Sequence, residues 1–217
     1  MRRNASWPAL VTLIAAAAVP LHAQGRDRGL VELPDRPVRS GLYLTAGLGD
    51  GLDQYKYQDL SGYTSWLSGP AAVLRIGGTP NHNIRLGGEL FGWWHSFYNS
   101  DPSFQEDVTE SFTAALLDAQ FYPSRRDGFY VKGGLGFGRS GTSYQFENGI
   151  YNGAFVWTVG AGYDIPLSRG ISIAPTVDFY QGSFSSSPGD PTQSYVEHVL
   201  NIGASLTFQA GHRRYRR

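Results

Sequence analysis

The sequence predicts an all-β protein, an eight-stranded antiparallel up-and-down transmembrane β-barrel. Three observations carry that reading. Period-two alternation returns eight times after Ser40, the connections between these runs alternate short and long, and each run sets an apolar face against one that mixes glycine with charge. Composition agrees, since 28 Gly and 14% aromatic residues in 217, with few charges, favour strands over helices. Lys plus Arg (18) equals Asp plus Glu (18), and lysine occurs only at Lys56 and Lys132, so there is no basic footprint for nucleic acid. The absence of Cys excludes a disulfide scaffold, thiolate-bound zinc and thiol chemistry.

The first 40 residues stand apart. Met1 to Ala23 open with Arg2 and Arg3, pass through an apolar stretch from Leu10 to Val19, and reach small Ala23 after Pro20. That is the plan of a secretory signal peptide, and the stretch is far shorter than the roughly 20 residues a spanning helix needs. Cleavage is expected after Ala23. Leu21 is larger than such sites prefer three residues before the cut, which leaves a nearby site as the alternative. Losing Arg2 and Arg3 leaves 16 basic against 18 acidic side chains, a net charge of −2. Gln24 to Ser40 mix charge with Pro34 and Pro37 and show no period, as a soluble periplasmic linker would.

The strands are expected at Gly41–Gly51, Pro70–Gly78, Ile84–Phe97, Glu110–Tyr122, Gly128–Gly141, Ala154–Ile165, Gly170–Phe184 and Tyr195–Phe208. The short connections, Thr79–Asn83, Pro123–Asp127 and Pro166–Arg169, combine Pro with Asn, Asp or Ser, or lead into Gly, which is turn chemistry. The other four, Leu52–Gly69, Tyr98–Thr109, Thr142–Gly153 and Ser185–Ser194, are longer and rich in Gly, Ser, Tyr and Asp. All long connections therefore fall at one end. An even-stranded meander with this asymmetry is the plan of an outer-membrane barrel, with short turns in the periplasm and long loops outside.

The two faces decide between a membrane barrel and a soluble one. One carries Leu42, Leu44, Leu48, Leu86, Leu90, Val131, Leu135, Val159, Ile173, Val177, Ile202 and Leu206, with almost no charge. The other sets Gly47, Gly49, Gly87, Gly134, Gly160 and Gly203 among Arg75, Arg85, Glu89, Asp118, Lys132, Asp164 and Asp178. Glycines on a water-facing sheet weaken it to no purpose, whereas inside a narrow eight-stranded barrel they make room for charged and aromatic neighbours. Phe121, Phe129, Tyr163 and Phe208 near the turns, and Trp94, Phe155 and Phe179 near the loops, match interfacial aromatic girdles.

Asn201, Gly203, Leu206 and Phe208 in the last strand have the polar, Gly, apolar, aromatic spacing of a C-terminal barrel-assembly signal. Together with the eight strands they give a chain that resembles the small OmpA-like and OmpX-like barrel family over Gly41 to Phe208. The resemblance implies insertion by the barrel-assembly machinery. Family members often stop at the terminal aromatic, but here Gln209 to Arg217 follow, four of them Arg. No periplasmic peptidoglycan-binding domain is expected after the barrel.

Catalytic chemistry finds no constellation. A lipid A deacylase-like site needs His and Ser two apart on one strand face with an acidic partner, but His95 adjoins Ser96 on the opposite face and His198 is followed by Val199 and Leu200. His82 falls in a turn and His212 in the tail. No catalytic residue, cofactor or metal centre is therefore expected. Glu106, Asp107 and Glu110 have the oxygens a hard cation takes, for instance one bridging lipopolysaccharide phosphates, and read equally well as a solvated cluster. Tyr55, Tyr57, Tyr63 and Trp66 are candidate loop contacts, or else rings that cap the barrel. Arg213, Arg214, Arg216 and Arg217 form a basic tail suited to anionic lipid or cell wall.

Turn centres give the interior pairing. A hairpin centred on His82 sets Arg75 opposite Glu89, and one centred on Arg125 sets Asp118 opposite Lys132. Two buried ion pairs are expected. The role expected for the chain is structural or interactive, through loops outside the cell, in contact with outer-membrane lipid and lipopolysaccharide. Passage of small hydrophobic molecules, as in OmpW-like barrels, is the first rival, and would need an apolar interior where charge is expected; a lipid-modifying enzyme is the second.

Overall fold

The computed structural model describes residues 39–57, 62–101, 104–144, 150–168, 170–184 and 194–210. The expected signal segment, most of the linker and residues 211–217 of the basic tail lie outside the described residues. Nine strand segments form one antiparallel sheet: β1 Gly41–Tyr57, β2 Leu67–Asn81, β3 Ile84–Asp101, β4 Phe104–Phe121, β5 Phe129–Tyr144, β6 Ile150–Tyr163, β7 Ile165–Ser168, β8 Ile171–Phe184 and β9 Tyr195–Ala210. Each pairs with its sequence neighbour except β6 with β7, both of which pair with β8, and β1 pairs with β9, so the sheet closes on itself. β6 and β7 are one barrel strand interrupted at Asp164, whose N–H is held by Gly128 O at 2.9 Å. The architecture is thus an eight-stranded up-and-down barrel.

Several strands run farther than the alternation indicates. β1 continues through Tyr57, and β3 pairs with β4 as far as Asp101 opposite Phe104. The expected loop Tyr98–Thr109 is therefore largely a projecting ladder. Backbone pairing needs no apolar face, so it persists after the period-two signal has faded. At the other end β9 passes Phe208 to Ala210, tied by Gln209 Nε2 donating to Ser40 O (3.1 Å) and Thr79 Oγ1 (2.9 Å).

The outer surface is apolar where a water-soluble protein would be polar. Leu117 is 78% exposed, Phe137 75% and Leu48 75%, within a continuous belt that includes Leu42, Ile76, Leu90, Leu135, Phe155 and Ile202. A patch of this extent is unstable in water and matched by lipid. The fold is a transmembrane β-barrel. Phe121, Phe129, Tyr163 and Phe208 stand exposed at its short-turn edge, with Trp94 and Phe155 towards the long-loop edge. Beyond the belt the outward side chains turn polar, and Ser68 Oγ donates to the Asp50 carboxylate at 2.9 Å.

Glycine supplies clearance inside. A Cβ at Gly160 would overlap the Asp178 carboxylate, and one at Gly51 would overlap the Trp93 ring. Only a residue without a side chain lets those two large groups lie across the barrel.

Candidate functional site

The interior is stratified along the barrel. Nearest the short turns, Arg85 Nη1 donates to the Tyr122 hydroxyl (2.5 Å) and Asp164 Oδ2 (3.0 Å), while Arg85 Nη2 reaches Gln209 Oε1 (2.9 Å). Arg39 lies over the Tyr122 ring, its guanidinium carbon 3.7 Å from the centroid, and donates to the carbonyls of Ser124 and Asp127. This layer closes the short-turn mouth.

Above it lies a quartet of alternating charge. Arg75 is paired with Glu89 and, at 3.0 Å, with Asp178; Lys132 Nζ lies 2.5 Å from Glu89 Oε2 and 3.2 Å from Asp178 Oδ1. All four side chains are buried and their formal charges cancel. Arg75 and Glu89 face each other directly across β2 and β3, in the register centred on His82.

The second expected pair is not formed. Asp118 lies opposite Gly134, and Lys132 lies opposite Gln120. Phe129 and Tyr130 pair with β6 but not with β4, which widens the connection and moves its centre from Arg125 to Arg126. The shift is two residues, so Lys132 keeps the inward face but reaches Glu89 and Asp178 instead. Asp118 is buried with neither carboxylate oxygen hydrogen-bonded among the described residues.

The next layer corrects the expectation of a charged interior throughout. Val73, Phe91, Trp93, Phe112, Leu116, Val156, Phe184 and Val199 pack into one buried apolar cluster. Phe91 stacks on Tyr180, ring centroids 3.8 Å apart, and the Tyr180 hydroxyl donates to Glu89 Oε1 at 2.7 Å. Tyr180 therefore belongs to both layers. Trp93 satisfies its indole N–H on Gly51 O at 2.9 Å. The run Leu90-Phe91-Gly92-Trp93-Trp94 held the signal, because its aromatics occupy both parities of one strand.

The long-loop mouth holds a cavity of about 240 Å³ between strand ends that project beyond the belt. Asp53 and Glu197 line it from adjacent strands, β1 and β9, and Glu110 lines it from β4. Burial and mutual repulsion push the Asp53 carboxyl up, and burial is the main cause raising Glu197. Burial raises Glu110 against the pull of His95. Tyr55, Tyr57 and Tyr195 cluster beside them in edge-to-face and tilted contacts, with centroids 5.5–6.2 Å apart. Asp53 shares the parity of Gly47, Gly49 and Gly51, so it was legible as inward had its strand been extended, and Glu197, already within the expected last strand, shares the parity of Asn201 and Gly203.

The loop contact candidates divide. Tyr55 and Tyr57 belong to β1 and line the cavity, whereas Tyr63 and Trp66 are exposed, Tyr63 packing 5.2 Å from the His198 ring. The acidic group expected in a loop also divides. Glu110 faces inward on β4 and Asp107 is exposed, because strand alternation sends them to opposite faces. Among the described residues no group of three His, Asp or Glu is placed to hold a metal. His95 sets Nδ1 2.8 Å from Ser68 O. In the last strand Asn201 and Gly203 face inward, while Phe208 is half-exposed in the belt opposite Leu44 and Ile171.

No protein-family profile and no curated protein matches the chain. Among solved structures it is similar to Ail, the attachment invasion locus protein of Yersinia pestis, at 14% identity and TM-score 0.49, covering 79% of this chain and 100% of that one. It is also similar to the outer membrane protein OprG of Pseudomonas aeruginosa (15%, TM-score 0.45, 80% of this chain and 99% of that one). A third is the outer membrane protease OmpT of Escherichia coli (8%, TM-score 0.39, 78% and 97%). Those proteins run from attachment to proteolysis, and a likeness this distant does not choose between them.

Proposed function

We propose that the chain is an outer-membrane barrel with its short turns in the periplasm and its long loops outside, and that its role is structural and interactive rather than catalytic. The observation that carries this is the pairing of a barrel filled by side chains with a long-loop end rich in exposed rings. Tyr63 is 50% exposed, Trp66 49% and Tyr98 59%. Exposed aromatics are the residues that anchor protein contacts most often. The apolar layer has the chemistry a hydrophobic conduit needs, but its side chains fill the space themselves, which speaks against passage.

The test is attachment of cells displaying the protein to host-cell monolayers. Tyr63→Ser with Trp66→Ser should reduce attachment while the heat-modifiable electrophoretic shift of a folded barrel persists. Unchanged attachment overturns the surface role. The proposal also includes lipopolysaccharide as the surrounding lipid and insertion by the barrel-assembly machinery through Asn201, Gly203, Leu206 and Phe208. Phe208→Ala should then lower assembly in cells more than deletion of Gln209 to Arg217, and the reverse order would misplace the signal.

A further inference from the structure

We infer that the cavity at the long-loop mouth is a binding site for a small organic cation, an ammonium or guanidinium compound. This goes beyond the surface-contact reading and does not depend on it. The charge inside the cavity is one-sided. Asp53, Glu110 and Glu197 line it, and none of its described lining residues is basic. Of the basic groups near this end, Lys56 lies over the Tyr63 ring, Arg139 lies 3.5 Å above the Tyr151 ring centroid, and His95, directly opposite Glu110, sets Nδ1 on Ser68 O.

The second observation is independent of the charge count. Asp53 is 2% exposed and Glu197 4%; the two carboxyls hydrogen-bond one another, yet neither Asp53 Oδ1 nor Glu197 Oε2 has a nitrogen or hydroxyl donor among the described residues. Buried acceptors left open on a cavity wall are the atoms a donor-bearing ligand satisfies. Half of the remaining wall is aromatic, Tyr55, Tyr57, Tyr195 and Trp93 among it, the rest being Ser, Thr, Asn and Gly, and ring faces attract cations. A strongly hydrated metal ion prefers an oxygen cage; these rings suit a cation that carries carbon. About 240 Å³ lies below the roughly 300–1,000 Å³ of pockets for drug-sized ligands, so the ligand is small.

The experiment uses the mature full-length barrel refolded in detergent, titrated calorimetrically with putrescine, guanidinium, 1,4-butanediol and calcium. Saturable one-site binding of putrescine or guanidinium, with the uncharged diol silent, is the expected result. Glu197→Gln combined with Asp53→Asn should weaken that binding by about tenfold or more, since it removes the charge the pair carries and with it a charge-assisted hydrogen bond. If the double variant fails to refold, Glu197→Gln alone carries the same expectation in direction. Emission of a variant keeping Trp93 as its single tryptophan reports occupancy separately, because that ring lines the cavity. Binding of calcium alone, equal binding of the diol, undiminished binding by the variants, or no saturable binding of either organic cation would each overturn the inference.

Discussion

The two halves of the barrel interior are filled by different physics. Towards the short turns, four charges from β2, β3, β5 and β8 neutralise one another, each held by named partners. Towards the long loops, Phe91, Trp93, Phe112, Val156, Phe184 and Val199 fill space by volume. An ionic layer depends on register, because a slip of one residue turns a charge to lipid at about 2–4 kcal/mol. An apolar layer is indifferent to partner and sensitive only to size and shape. The glycines follow the same division, Gly160 clearing space for a carboxylate and Gly51 for an indole.

The largest effect should come from breaking the quartet. Arg75→Met leaves two carboxylates facing one lysine, and should destabilise the barrel by about 3–5 kcal/mol in reversible unfolding from detergent. Adding Glu89→Gln leaves Lys132 with Asp178, a neutral pair, so the double variant should be markedly more stable than Arg75→Met alone. Additivity in that cycle would break the contrast between the halves.

A conservative change in the apolar half should be much milder. Phe112→Leu is expected to cost less than about 1.5 kcal/mol by the same measurement, because volume is largely kept and no partner is lost. Asp118→Asn sharpens the distinction inside the ionic half. It has no partner to lose, and its substitution should leave unfolding within about 0.5 kcal/mol of the parent or above it.

The mouth supplies a smaller effect that depends on pH. The Asp53 carboxyl is held above its unfolded value, so its contribution to stability is complete below the ordinary carboxylate range of about 4 and is lost as pH rises through the raised folded value. Asp53→Asn cannot ionise. The variant should match the parent's thermal midpoint in acid and exceed it above neutrality; parallel pH profiles would remove the burial of Asp53 from the account.

The sequence was most legible where two constraints coincide. Within the belt, lipid outside and a crowded lumen inside force strict alternation, so the strands and the facing of Arg75 and Glu89 could be read directly. The turn between β4 and β5 was misread because Phe129 and Tyr130 start a strand on one neighbour before the other, which no local pattern records. Beyond the belt one constraint disappears. Tyr55 and Asp53 then looked like loop residues although the ladder continues through them. The apolar layer escaped notice because an inward Phe or Trp has the same hydropathy as one facing lipid.

That last ambiguity gives the most direct test of the central claim, that one face of each strand lines a filled lumen through both halves. Trp93 and Trp94 are adjacent, Trp93 1% exposed among the interior rings and Trp94 40% exposed, with its ring lying over outward Gly92. Single-tryptophan variants retaining one or the other are reconstituted in bilayers whose lipids carry bromine on the acyl chains, and quenching is measured. Strong quenching of Trp94 with little of Trp93 is the predicted result. Equal quenching, or quenching of Trp93 alone, would contradict the account.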